Sequence, residues 1–152
     1  MSVSTTQTTT PTSTAATTYV RAWPDDVVAQ LGWPVHSSYT EHCLVSVLGP
    51  TSTLLLRLLA FELLTAAEDL KAVDLEAISR SLGLGGGTGR NSKLSKALLR
   101  LVQFGYVKPC GGAVEGYWVR THVAPLSERH LDRAGPRVRQ LHDHLMAGKT
   151  AR

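Results

Sequence analysis

The chain has 152 residues, of which 43% are apolar, and a formal net charge of +4, which suits one soluble domain with appendages. Cys43 and Cys110 lie far apart and form no CxxC motif, which argues against a disulfide framework or a zinc ribbon. Threonine and serine, rather than an apolar stretch, open the chain, so we expect a cytoplasmic protein without a secretory leader.

Residues 1–18, MSVSTTQTTTPTSTAATT, are of low complexity and almost uncharged. They offer no apolar periodicity that could bury surface, and we predict a disordered tail. Residues 19–50 follow as a predicted N-terminal helical extension. Its first helix is DDVVAQLG, with Asp25 or Asp26 as the cap.

The second helix of this extension is predicted to begin at Ser38, because Ser38 and Glu41 have the spacing of a capping box. It should end before the Gly49-Pro50 pair, since the residue before a proline avoids the helical conformation. Trp23 and Trp33 are each followed by a proline, and we predict that their rings pack on the core rather than form an open stacking platform.

Residues 51–67, TSTLLLRLLAFELLTAA, form the strongest predicted helix and begin a predicted domain over residues 51–123. The segment is apolar nearly all round, apart from Arg57 and Glu62. These two charges, with Pro50 at its start, argue against a membrane span, which needs about 20 apolar residues. We predict a central core helix or a subunit contact.

Residues 74–108 predict two helices joined by a glycine-rich turn. Asp74 can cap the first helix, and Gly83 can end it in the left-handed conformation. The second begins near Asn91 or Ser92 and runs to Phe104. At 100° per residue its apolar side chains share a sector of roughly 100°, typical of a core-facing helix; they are Leu94, Leu98, Leu101 and Val102.

The opposite face of this second helix is cationic and carries Lys93, Lys96 and Arg100, with Ser92 and Gln103 beside them. Residues 77–114 hold six basic side chains and no Asp or Glu, namely Arg80, Arg90, Lys93, Lys96, Arg100 and Lys108.

A cationic helix face is commonly only a solvated surface, but an unneutralised run favours an anion from outside the protein. The charge is also divided along the chain. Residues 1–75 have three basic and seven acidic side chains, which gives a charge of −4. Residues 76–152 have thirteen basic and five acidic side chains, which gives a charge of +8. This distribution is typical of a nucleic-acid binder, whose partner would be phosphate.

Residues 106–108 and 117–123 are predicted strands, joined through PCGGAVEG as a hairpin. Lys108 and Arg120 could flank a phosphate there, although Glu115 near the tip opposes this. Residues 124–152 are a predicted C-terminal helical extension of two helices, broken at Gly135-Pro136. A narrow apolar stripe on the second either packs back on the domain, which we favour, or meets its twin in a homodimer.

The stretch LEAISRSLGL followed by SKLSKALLRLVQFGYVK resembles the winged helix-turn-helix of bacterial transcription regulators, the MarR-type proteins among them. It ends in the pattern LxxLxxxGxV, here Leu98, Leu101, Gly105 and Val107. The whole layout is also similar to actinobacterial winged-helix proteins of unassigned role. The turn LGLGGGTGRN departs from the pattern, because it is about five residues longer than the usual link.

The resemblance implies a mainly α fold with a small β-hairpin, a recognition helix at about 91–104 and a wing at 106–123. It implies a sequence-specific regulator that binds double-stranded DNA. Base edges in the major groove would be contacted by Ser92, Lys93, Ser95 and Lys96. Phosphates would be contacted by Arg90, Arg100 and Lys108. Asn91, and Arg120 on the wing, complete the predicted DNA-binding residues.

Other chemistry is not indicated by the sequence. GLGGGTGR lacks the G-K-[ST] ending of a phosphate-binding loop, and the six histidines form no ligand pairs, so we expect neither a metal, a cofactor nor an enzyme. Two alternatives remain open. One is a winged-helix protein-interaction module that docks through residues 51–67 or the C-terminal stripe. The other is an architectural DNA-binding accessory protein in replication or recombination.

Overall fold

A computed structural model describes residues 17–112 and 115–150 as a helix-rich fold with a small sheet. In chain order the elements are β1 Thr17–Trp23, α1 Asp26–Leu31, β2 Trp33–Pro34, a π-helical stretch Thr40–Leu44, α2 Val45–Leu48, α3 Pro50–Leu64, β3 Leu70–Asp74, α4 Leu75–Ser81, α5 Lys93–Gln103, β4 Val107–Cys110, β5 Gly116–Arg120, β6 His122–Val123, α6 Glu128–Ala134 and α7 Pro136–Thr150.

The main sheet has four strands in the order β3-β1-β5-β4. Strand β1 runs antiparallel to β3 and parallel to β5, and β4 runs antiparallel to β5. The predicted hairpin is present as β4 and β5, but it is half of a larger sheet. Strands β2 and β6 form a separate two-stranded pair.

Strand β1 was not predicted, and it lies inside the main sheet. Residues 17 and 18 of the predicted tail belong to it, and the predicted helical extension begins with it; residues 1–16 lie outside the described structure. In TTYVRAW, Val20 is fully buried on the inner face, while Tyr19, Arg21 and Trp23 alternate with it. Because the outward positions include two aromatic residues, the polar–apolar alternation that signals a strand is weak.

The inner face of the sheet packs on α3, which was predicted as the central helix. Pro50 occupies its first turn, where the missing N–H has no intrahelical partner to lose. Leu55, Leu56 and Leu59 are almost inaccessible to solvent, and α3 contacts both β1 and α5. One buried cluster joins Val20 near the start of the chain to Leu131 in α6, so both predicted extensions contribute to the core.

The segment before α3 differs from the predicted capped helix. Residues 38 and 39 are already helical, so the predicted start is confirmed, and the chain continues as the π-helical stretch 40–44 and then as α2. In the described structure no side-chain hydrogen bond caps this stretch, so Ser38 and Glu41 do not form the predicted capping box. The predicted end before Gly49-Pro50 is confirmed.

Helices α1, α6 and α7 follow the prediction. Asp25 caps α1 and accepts a hydrogen bond from the Val28 N–H at 3.1 Å. The break at Gly135-Pro136 separates α6 from α7. Helix α7 packs back on the π-helical stretch, as favoured, and its stripe lies partly buried on the core. Among the described residues, no helix is long and apolar enough to cross a membrane.

A buried hydrogen-bonded cluster centred on Tyr39 holds the C-terminal region. The Leu126 N–H donates to Tyr39 Oη at 2.8 Å, and Oη lies 2.7 Å from Nδ1 of His142 in α7. The Tyr39 ring stacks on Trp33 at 3.8 Å between centroids, which confirms that this tryptophan packs on the core. Burial raises the pKa of Tyr39 to about 12, and burial also raises the pKa of Tyr106 to about 12.

We expect the free energy of unfolding to fall in alkali. A tyrosine whose folded pKa is raised stabilises the fold fully below its unfolded pKa, near 10, and this contribution is lost as pH rises through 12. The loss is up to about 2 to 3 kcal/mol for Tyr39. Urea titrations between pH 8 and pH 12 would measure it.

Tyr39→Phe is the matched variant for this prediction. It should lose about 1 to 3 kcal/mol at pH 8, because the Leu126 N–H is left buried without its acceptor. Between pH 10 and 12 it should then lose less stability than the wild type, since only Tyr106 remains of the two phenols. Parallel curves for the two proteins would contradict the assignment.

Candidate nucleic-acid interface

Helix α5 presents the most distinct pair of faces in the described structure. Its inner side is buried through Leu94, Ala97, Leu98 and Leu101. The predicted helix is thereby confirmed over Lys93–Gln103, with Phe104 as its C-terminal cap. Gly105 follows with φ of +76°, a left-handed conformation that favours glycine and lets the chain turn into β4.

The start of α5 is held by two serines that were predicted to contact base edges. Ser92 Oγ accepts a hydrogen bond from the Ser95 N–H at 3.1 Å and donates to Ser95 Oγ at 3.0 Å. Ser95 Oγ in turn donates to the Thr88 carbonyl at 3.3 Å. Both hydroxyls are thus engaged in capping α5 and in holding the turn, rather than left open on the helix surface.

Helix α4 is capped at its start and contacts the long turn that follows it. Asp74 caps α4 as predicted and accepts hydrogen bonds from the amides of Glu76 and Ala77. Within α4, Arg80 forms an ion pair with Glu76 at 3.0 Å, and Gly86 packs directly against this pair. The charge of Arg80 is therefore neutralised by an acid that lies one residue before the predicted cationic run.

Lys93 and Lys96 remain as exposed cations on the outward face of α5. Within residues 17–112 and 115–150, neither ammonium group lies within 4.0 Å of a carboxylate oxygen. Arg90 and Asn91 are exposed just before the helix, so four of the predicted site residues are exposed within a stretch of seven. We call this surface, formed by residues 90, 91, 93 and 96, the α5 face.

A groove of about 520 Å³ borders the α5 face, between α5 and the start of α3. Its walls include Thr51 on the α3 side and Lys93, Lys96 and Arg100 on the α5 side. The two helices are tied below the groove, because buried Ser52 donates to the Ala97 carbonyl at 3.2 Å. The groove combines a concave shape with positive charge, which suits an anionic group.

Arg100 is exposed but already has a partner. Its Nη2 donates to the Val47 carbonyl at 2.7 Å, and its guanidinium lies 5.1 Å from the centre of the Phe104 ring. The carbonyl fixes the orientation of the group without cancelling its charge. Arg100 therefore lines the groove as an oriented cation.

The two predicted hairpin cations differ from each other. Lys108 is exposed on β4, but Arg120 is turned toward the protein, where its Nε donates to the Gly105 carbonyl and its Nη1 forms a 2.9 Å ion pair with Asp25. The Val28 amide, and then Arg120, hold the pKa of the Asp25 carboxyl below its ordinary value. The predicted phosphate contact by Arg120 is not supported, because its charge is neutralised by a residue 95 positions away.

Leu99 is a surface residue that the sequence-based site did not include. It lies on α5 and is 55% exposed, although leucine normally marks the inner side of a helix. Its helical phase, between Lys96 and Gln103, would have placed it on the outward face. An exposed apolar side chain beside cations can contact the methyl group of thymine in the major groove.

Within the described part of the chain, no group of three or more His, Cys, Asp or Glu side chains is arranged to hold a metal ion. Cys43 is buried, and burial raises the pKa of its thiol, which disfavours the reactive thiolate.

Comparison of the chain with protein-family models, curated proteins and solved structures yielded no match to any of them.

Two serine caps allow a matched test of how α5 is held. Ser92→Ala should lower the free energy of unfolding by about 1 kcal/mol, because a helix N-cap is lost. Ser127→Ala should cost a similar amount, since Ser127 caps α6 with nearly the same backbone angles. Only Ser92→Ala should also speed tryptic cleavage after Arg90, as it frees the turn; equal cleavage in the two variants would contradict this role.

Proposed function

We propose that the protein is a sequence-specific DNA-binding transcriptional regulator whose helix α5 enters the major groove. The proposal is carried by one observation: Lys93 and Lys96 project from the outward face of a helix whose inner face is buried, and they have no acidic partner in the described structure. Exposed cations that have no acidic partner within the protein favour the binding of a polyanion, and the phosphate backbone of DNA is the commonest one.

The order of elements supports the proposal. Helix α3, helices α4 and α5, and the β4–β5 hairpin follow one another as the core helix, helix-turn-helix and wing of a winged-helix protein would. Strand β1 is an addition to that plan, since it lies between β3 and β5. The hairpin begins directly after α5, so a wing would reach the duplex beside the groove that α5 occupies.

The dimensions of α5 suit this role. An α-helix with its side chains is about 10 to 12 Å across, and the major groove is about 12 Å wide, so α5 can enter it. In this arrangement Lys96 and Leu99 face base edges, and Arg90, Lys93 and Arg100 neutralise phosphates along the groove rim. Ser92 and Ser95 contribute by fixing the start of the helix, since their hydroxyls are engaged there.

The alternative of a protein-interaction module has less support at the C-terminal stripe, because Leu141 and Leu145 already pack against the core. On α3, Leu54, Phe61 and Leu64 are exposed, so an apolar contact there is compatible with the fold. Such a module would not need the cations of α5, which makes their replacement the deciding experiment.

Binding to duplex DNA should depend strongly on salt. If Arg90, Lys93, Arg100 and Lys108 each displace a counterion, log K should fall against log salt with a slope of about −4. Anisotropy titrations of a labelled random-sequence duplex between 50 and 300 mM salt would measure the slope. A duplex affinity that does not change with salt would count against the proposal, as would no binding at any salt.

Lys96→Ala should relax the choice of sequence, and Lys93→Ala should weaken all duplexes alike and reduce the salt slope by about one. Arg133→Ala is the matched control, because Arg133 is an exposed cation on α6. Selection of binding sites from a randomised duplex pool, compared across the three variants, is the measurement. Tight binding without any sequence preference in the wild type would favour the architectural alternative instead.

A further inference from the structure

The outer face of the main sheet carries a second array of charged and aromatic side chains. Its inner face is occupied by α3, which contacts β1, β3 and β5. The outward positions alternate with buried Val20 on β1, Val119 on β5 and Val107 on β4. We call these positions the outer sheet face; they are Tyr19, Arg21 and Trp23 on β1, Trp118 and Arg120 on β5, and Lys108 on β4. The side chain of Arg120 turns back from this face to Asp25 and Gly105.

Strand register lines these side chains up in rows across the sheet. Trp118 is paired with Arg21 on one side and with Lys108 on the other, which makes one row. The neighbouring row pairs Trp23 with Arg120. Tyr19 begins a third row beside Gly116, which has no side chain to cover the ring. Successive rows are two residues apart, or about 6.6 Å.

The rings and cations of this face hold one another in place. The Arg21 guanidinium lies 4.8 Å from the centre of the Trp118 ring, and the Arg120 guanidinium lies 4.0 Å from the centre of the Trp23 ring. Lys108 Nζ approaches Trp23 at 5.8 Å. Each of these contacts holds a cation against an aromatic ring, and an arginine plane or an exposed ring can accept a further planar group such as a base.

The face also holds positive charge without a matching acid. Arg120 is neutralised by Asp25, but in the described ranges neither Arg21 nor Lys108 lies within 4.0 Å of a carboxylate. Arg21 Nε is shielded from solvent and has no hydrogen-bond acceptor among the described atoms. Because Nε is shielded, a phosphate would meet Arg21 through the terminal nitrogens of its guanidinium, which can donate charge-assisted hydrogen bonds.

We propose that the outer sheet face binds single-stranded nucleic acid, with bases stacked on Tyr19 and on the Arg21–Trp118 pair and phosphates held by Arg21 and Lys108. A single strand presents planar bases to the aromatic rings and anionic phosphates to the cations of this face. Its extended backbone can place successive nucleotides at the spacing of the rows. A duplex keeps its bases stacked inside and could use only the cations. An acidic peptide could use the cations but lacks the repeating planar groups.

This site is independent of the α5 face, since Tyr19, Arg21 and Trp118 lie on β1 and β5 and none of them belongs to α5. Lys108 is the residue that both proposals use, and it is therefore left unchanged in the test. The two surfaces can consequently fail separately.

The test titrates the full chain with fluorescein-labelled ten-residue oligo(dT), oligo(U) and a blunt duplex, followed by anisotropy and by quenching of tryptophan fluorescence. Arg21→Gln and Tyr19→Ala should each weaken single-strand binding on the order of tenfold, because a phosphate contact or a stacking partner is lost. Neither should change duplex binding. Tyr19 is 36% exposed, so its variant keeps the test informative if replacement of half-buried Trp118 disturbs folding.

The Lys93→Ala/Lys96→Ala double variant is the reciprocal control and should retain single-strand binding. Undetectable binding of both oligo(dT) and oligo(U) would overturn the proposal, and so would binding lost only in the double variant. Loss of duplex binding alone in the double variant, with single-strand binding intact, supports both sites. Stronger binding of oligo(U) than of oligo(dT) would identify RNA as the source of the strand, and the reverse would identify DNA.

Discussion

Burial of α3 is the interaction on which the other layers depend. Leu55, Leu56 and Leu59 lose nearly all contact with water, and burial of each leucine stabilises the fold by about 1.5 to 3 kcal/mol. The helix provides this apolar surface both to the inner face of the sheet and to α5. Without it, neither α5 nor the inner face of the sheet would have an apolar partner of sufficient area.

This shared partner also dictates where the polar side chains lie. Helix α5 and the sheet each turn an apolar side toward α3, so the opposite side of each must face away from it. The two exposed sides differ in chemistry. The α5 face is cationic and polar, with Leu99 beside it, whereas the outer sheet face interleaves cations with aromatic rings. A narrow helix and a flat aromatic sheet suit different forms of nucleic acid, which is why we assign them different partners.

Several basic side chains are not available to a partner, because they are paired with acids of the same chain. Arg80 and Arg120 are paired with Glu76 and Asp25, and Arg139 on α7 is paired with Glu128 and Asp132. Arg100 keeps its charge but is oriented by a carbonyl. In the described part of the chain, exposed cations without a carboxylate within 4.0 Å also lie on α6 and α7, as Arg129, Arg133 and Arg137. The two proposals therefore rest on the positions of Arg21, Lys93, Lys96 and Lys108 rather than on the net charge of +4.

Local sequence determined the helices and their caps. The apolar stretch of α3, the caps Asp25, Asp74 and Ser92, and the break at Gly135-Pro136 all depend on residues within a few positions of one another, and each was predicted. The order of the core helix, the two following helices and the hairpin was predicted for the same reason, but strand β3, which lies between α3 and α4, was not predicted.

Only the tertiary structure decided the sheet and the state of the cations. Strand β1 pairs with β3 about 50 residues later and with β5 about 100 residues later. The seven residues of β1 carry little polar–apolar alternation, because aromatic side chains occupy two of its outward positions. Arg100 is oriented by Val47, and Arg120 is neutralised by Asp25, across 53 and 95 residues of chain. The helical periodicity of the sequence shows on which side of a helix a charged residue lies. Which carbonyl or carboxylate contacts that residue depends on packing between segments that are distant in sequence.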